Sequence, residues 1–195
     1  MNTKVTRDSL MTLEAYSKAR SDFRKQVLEH KKQRTIGLGD HVTLLFEDEL
    51  TVRYQIQEML RIEKIFDEEG IQHEIDSYNP LIPDGNNFKA TMLIEYTDEA
   101  IRRKMLTQLK GIERKVFVQV EGAKKVYAIA DEDLERENED KTSAVHFLRF
   151  QLDADMVKSL QYGVALSMGV EHENYVAMLA PLPASYQQAL LKDLA

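Results

Sequence analysis

The 195-residue chain contains no cysteine. That absence excludes disulfides, a thiolate nucleophile, a cysteine zinc site and a self-ligated iron–sulfur cluster. No apolar run approaches the roughly 18 residues that a membrane span requires. The opening "MNTKVTRDSLMTLEAY" turns polar at once and carries no signal-peptide core. A cytoplasmic chain without a membrane role is therefore expected. Positive charge is in deficit, with 26 basic against 33 acidic residues and a net charge of -7. Nucleic-acid binding needs a cationic surface to displace counterions, so no nucleic-acid partner is expected. The one dense basic stretch, "EHKKQR" (Glu29 to Arg34), reads as the cationic last turn of a helix. Catalytic signatures are missing too. There is no Gly-rich phosphate loop, nucleophile elbow, zincin helix or Glu-x-x-His pair.

What is present is a hydrophobic fraction of 43%, enough for a packed core. Thr6 offers an N-cap to a first helix carrying Leu10, Leu13 and Tyr16, with Ser21 or Asp22 as a second cap before Phe23 and Val27. Gly37 and Gly39 break the pattern, and "HVTLLFED" alternates as a strand. Phe46 to Gly70 then reads as one long amphipathic helix closed by Gly70. "YNPLIPDGNN" is a firm turn, followed by a strand, "FKATMLIEY", and a helix from the Asp98 cap to Lys110. "KVFVQVEG" and "KKVYAIADED" make a hairpin around Gly122–Ala123, and "EDLERENEDK" is a solvated charged run. The strand "SAVHFLRFQL", a helix from Asp153 to about Gln161, a second hairpin around "EHEN" and a final helix complete the chain. Strands linked in series by hairpins predict an α+β fold with a largely antiparallel sheet. The expected organisation is one domain, with residues 1–34 as an N-terminal helical arm and 35–195 as a sheet-and-helix core.

Few polar residues demand an explanation. At about 100° per residue, Val52, Ile56, Met59, Ile62 and Phe66 share one helical stripe, and Glu63 falls inside it. A carboxylate buried there must be paired or protonated, and removing a paired one costs about 3–5 kcal/mol. Period two in "AVHFLRF" puts Phe147 and Arg149 on one strand face and His146 and Leu148 on the other. Arg149, with its planar fork, is the expected partner of Glu63, tying helix to sheet. Glu58 and Arg61 complete this polar cluster. A metal or enzyme site using Glu63, Glu58 and His146 is the alternative, with Glu63 and His146 as ligands and Arg61 or Arg149 on an anionic substrate. Otherwise no metal and no cofactor is expected, and no catalytic residue is assigned. Glu171, His172 and Glu173 alternate along a hairpin tip and do not converge on one ion. Tyr78, Asn79, Asp84 and Asn86 form a candidate binding loop, where a bound small molecule would mark a sensor.

"LLFEDELTVRYQIQEMLRIEKIF", "YNPLIPDG", "ATMLIEY" and "EDLERENEDKTSAVHFLRF" resemble an uncharacterised bacterial family of about this length. Its genes tend to sit beside those for a rubrerythrin and a heterodisulfide-reductase-like iron–sulfur oxidoreductase. The resemblance implies a non-catalytic accessory or interaction protein of an iron-dependent redox system, concerned with oxidative stress. It implies protein partners such as those two and no catalytic residue to carry over; self-association into a homo-oligomer is expected from the acidic and mixed helix faces.

Overall fold

The computed structural model describes residues 4–133, 136 and 140–195. The N-terminal signal at Thr6 closes only a 3-10 turn, Arg7–Ser9. The first helix, α1 (Leu13–Lys32), starts later, where the Thr12 side chain accepts from Ala15 N. It runs unbroken through Ser21 and Asp22, contrary to the expected restart. A hairpin follows, β1 (Thr35–Leu38) with β2 (Val42–Phe46), turning at Gly39, whose φ is +70°. Alternation fails to reveal β1 because Gly37 sits inside the strand.

The expected single helix from Phe46 to Gly70 is two. Phe46 ends β2, Asp48 caps α2 (Glu49–Glu63), and Lys64 closes it in the left-handed region at φ 56°. Asp67 then caps α3 (Glu68–Tyr78) by accepting from Gly70 N at 2.8 Å. Gly70 is no terminator. It lies in the first turn of α3, where a Cβ would stand 2.6 Å from Ile65 Cγ2. A 3-10 turn (Asn79–Leu81) leads into β3 (Asn87–Ile94), and Asp98 caps α4 (Glu99–Gln108) as its sequence predicts.

Next come β4 (Val116–Val120), β5 (Val126–Tyr127), β6 (Ile129–Ala130), β7 (Val145–Gln151) and α5 (Ala154–Gln161). The chain finishes with β8 (Leu166–His172), β9 (Tyr175–Leu179) and α6 (Ala184–Leu191). Within the charged run, residues 134, 135 and 137–139 lie outside the described residues. Two antiparallel sheets result, ordered β1-β2-β3-β7-β6 and β5-β4-β8-β9. This is an α+β fold.

The sheets share one core. Phe46 meets Phe88 edge-on at 6.1 Å, and Val116, Val118 and Met168 join the same cluster from the other sheet. Each such fully buried side chain contributes about 1.5–3 kcal/mol. A separate cluster of Val52, Ile56, Leu60, Ile71, Ile75 and Ile82 holds α2 to α3, while Tyr16, Phe23 and Val27 pack α1 against Leu50 and Tyr54. Among the described residues, no helix is long and apolar enough to cross a membrane.

Candidate functional site

Strand β7 decides where a cleft can form. Its even face, His146, Leu148 and Phe150, is buried in the core, so Phe147, Arg149 and Gln151 face the opposite way. Neighbouring β3 alternates in step, with Lys89 directly across from Arg149. Over this outer face stand the end of α3 and its 3-10 turn. The result is a cavity of about 310 Å³ lined by Ser77, Tyr78, Pro80, Leu81, Lys89, Glu132, Asp133, Phe147, Leu148 and Arg149. That volume is at the low end of the roughly 300–1,000 Å³ typical of small-molecule sites.

The turn is locked before any ligand arrives. Asn79 accepts from Val5 N and donates to Val5 O, both at 2.9 Å. Asp84 N donates to Asn87 Oδ1 at 3.1 Å, and Asn86 O accepts from Leu152 N at 3.0 Å. Of the loop residues singled out in sequence, Tyr78 lines the cavity, whereas Asn79, Asp84 and Asn86 fasten its frame.

Every charge at the cleft has a counter-ion. Arg149 Nε and Nη2 each donate to Glu132 at 2.8 Å, and Nη1 donates to Gln151 at 2.6 Å. This bidentate bond from Arg149 holds the Glu132 carboxyl below the usual carboxylate range. Lys89 Nζ lies 2.8 Å from Asp84 and donates to Pro80 O. Burial pushes Asp84 up, but the bonds from Lys89 and Asn87 outweigh it and hold its carboxyl low. Arg136 lies over the Phe147 ring at 4.6 Å.

A family model described as "Protein of unknown function (DUF3501)" matches residues 4–194. This chain belongs to that family. The DUF3501 chain is also similar to a crystal structure of a novel protein of unknown function from Burkholderia pseudomallei K96243, at 53% identity and a TM-score of 0.94. The match covers 99% of this chain and 100% of that one. Among curated proteins, no match was found.

The expected Glu63–Arg149 tie is absent from the DUF3501 chain. Glu63 is exposed, as the last residue of α2, and Arg149 is taken by Glu132. The stripe that predicted burial of Glu63 misses the buried face of α2 and runs past its end: Ile62 inside the helix and Phe66 beyond it are 60% and 79% exposed. The working buried face is Thr51, Val52, Ile56, Gln57 and Leu60. Glu58 points instead to α1. It accepts from Arg20 Nε at 2.7 Å, Arg20 Nη2 at 2.8 Å and Tyr16 Oη at 2.6 Å, with Arg61 at 3.4 Å. The Arg20 bond above all holds Glu58 down to about 2, and burial with the Glu58 bond pushes the Tyr16 hydroxyl up.

The metal alternative loses its geometry with Glu63. His146 is fully buried, its Nδ1 2.5 Å from Asp131 Oδ2 and its Nε2 2.9 Å from Thr142 Oγ1 and 3.1 Å from Ser143 O. The spacing mimics a hydroxyl–imidazole–carboxylate triad. Its setting differs, because His146 and Thr142 are both sealed from solvent at 0% and 1% exposure, so no substrate reaches the hydroxyl. Asp131 adopts φ 52°, a region aspartate tolerates, and also accepts from Phe147 N at 3.0 Å. The group pins β6 to β7.

Sequence reasoning missed the most buried cation. Arg34, from the stretch read as a helix terminus, is 1% exposed. It donates to Phe46 O, Glu47 O and Ala189 O, and to Asp193 at 2.5 Å, with Asp48 at 3.5 Å. His30 lies 2.5 Å from Asp48. Burial pushes Asp193 up to about 6 against the pull of Arg34. The available signal was position: Arg34 directly precedes a strand whose neighbours are buried. Glu113, 2% exposed with one oxygen lacking a hydrogen bond, carried no sequence signal at all.

Proposed function

We propose that this protein works by binding rather than by turnover, as a non-catalytic accessory protein whose operative site is the cleft between the Asn79–Leu81 turn and the outer face of β3 and β7. One observation carries the reading. The cleft joins apolar walls to two strand-held cations whose counter-ions are about half exposed, whereas the polar clusters around Glu58, His146 and Arg34 are closed over more deeply buried partners. Sites of this kind, an apolar cavity with a few convergent polar groups, are where small molecules bind. Rigid framing by Asn79 and Asn86 supports it, since a preformed site spends little binding energy on ordering.

The setting proposed for this accessory role is the one the sequence resemblance implies, beside a rubrerythrin and an iron–sulfur oxidoreductase. Two measurements test the reading. An NMR titration of the labelled protein with a mixed set of neutral, cationic and anionic fragments should shift the amides of Tyr78, Phe147 and Leu148 with at least one member. If no fragment moves them, the cleft is not a binding site. Co-elution with the oxidoreductase on size exclusion is expected for the accessory role, and separate elution of both proteins at micromolar concentration counts against that partner.

A further inference from the structure

Resting on that reading, we infer that the cleft takes a small apolar carboxylic acid in its ionised form, gripped by Arg149 in place of Glu132. Lys89 and Arg149 stand in register on adjacent antiparallel strands. Like charges so placed repel, and the sheet bears that cost to keep two cations at one spot. Their side chains are 11% and 24% exposed, while those of their counter-ions Asp84 and Glu132 are 49% and 52% exposed. The cations are thus fixed in the frame, and the acids lie half in water on connecting segments outside both strands. Glu132 can return to solvent at small cost. Arg149 cannot.

Glu132 already shows how the guest would bind. Its two oxygens meet Nε and Nη2 of Arg149 in the forked geometry that any carboxylate would reproduce. Gln151 holds the third nitrogen and fixes the plane of the fork. Exchanging one carboxylate for another gains little by itself, so affinity must come from the walls. Those are Tyr78, Pro80, Leu81 and Phe147, which suit a hydrocarbon or aromatic body and offer a sugar or phosphate ester few partners. Glu132, once released from Arg149, also repels a second negative charge on the guest, whereas Asp133 stays paired with Arg136. A monoanion with an apolar body fits both constraints.

The test is an NMR titration of the full ¹⁵N-labelled chain with butyrate, hexanoate, 3-phenylpropionate and 3-phenylpropionamide. The acids should shift the Arg149 Nε–H and the Phe147 amide. Affinity should rise by about fourfold per buried methylene from butyrate to hexanoate. The amide should bind at least about tenfold more weakly than its acid, because it forfeits a charged hydrogen bond. Glu132→Gln, a change at an exposed side chain that leaves the fold intact, should tighten 3-phenylpropionate by about two- to fivefold by removing the internal competitor. Arg149→Gln should abolish the difference between acid and amide.

Equal binding of acid and amide, with cleft residues shifting for both, overturns the carboxylate assignment and leaves the cleft reading standing. A tripeptide ending in phenylalanine that bound more tightly than 3-phenylpropionate would overturn the free-acid assignment in favour of a chain end. If none of the ligands moves a cleft resonance while the mixed fragment set does, the apolar-acid class alone fails. If neither does, both readings fail together.

Discussion

Arg34 Nη2 lies 2.5 Å from Asp193 Oδ2, joining the approach to the first strand to the end of the chain across 159 residues. Both groups are buried, and Arg34 also donates to the carbonyls of Phe46, Glu47 and Ala189. The β1–β2 hairpin, the N-cap of α2 and the last helix therefore meet at one guanidinium. A buried pair of this kind is costly to break because one charge is left behind without water or a partner.

Arg34→Met is expected to destabilise the protein by about 3–5 kcal/mol, or a fall in Tm of about 10 °C. The deficit should also depend on pH. Asp193 is pushed up to about 6 even beside its cation, and without Arg34 it moves higher. Between those two values the folded variant holds a proton that the folded wild type has released. The variant then loses stability with rising pH in a range where this group no longer affects the wild type. Urea unfolding should show a smaller deficit near pH 5 than near pH 7.5. Equal deficits would mean that Asp193 is not the group left stranded.

Glu58 titrates with the opposite sense. Arg20, Tyr16 and Arg61 hold its folded value down to about 2, against 4.5 for an unperturbed glutamate. Its contribution is complete above about 4.5 and is lost as pH falls through that window toward 2. After allowance for solvent screening, the loss amounts to about 1–2 kcal/mol. Glu58→Gln should therefore show a flatter fall in stability between pH 5 and pH 2.5 than wild type, measured by denaturant midpoint at constant ionic strength. Parallel profiles would count against the pairing.

Glu63→Ala should change stability by no more than about 0.5 kcal/mol, since Glu63 is exposed at the end of α2. The expectation from helical periodicity alone was several times larger. A drop in Tm of more than a few degrees would show that the α2–α3 junction packs differently in solution.

His146 is expected to carry a proton on Nδ1, because the Asp131 carboxylate there can only accept. Side-chain ¹⁵N shifts should show Nδ1 protonated. A ring protonated on Nε2 alone would count against the Asp131 bond. Asp131→Ala, which strands the ring and the Phe147 amide, should cost about 3–5 kcal/mol.

The α+β class, the antiparallel pairing and most element positions were legible in the amino-acid order. Asp98 and Asp153 announce helix starts because their side chains can reach a backbone N–H three residues on, and no distant contact is needed for that bond. The alternation in β7 likewise sorts Leu148 from Arg149 without help. Tertiary contacts alone decided which charges went inside. The stripe through Ile62 and Phe66 was read as continuous because periodicity has no knowledge of a left-handed turn at Lys64 or of a new cap at Asp67. Arg34 looked like a solvated helix end because its acid, Asp193, lies at the far end of the chain. Local propensity is set by neighbours within a few residues, whereas the fate of a charge is set by whatever the fold brings beside it. For the same reason the cleft existed in no single segment: Tyr78, Lys89, Glu132 and Arg149 meet there only once α3 lies over the sheet.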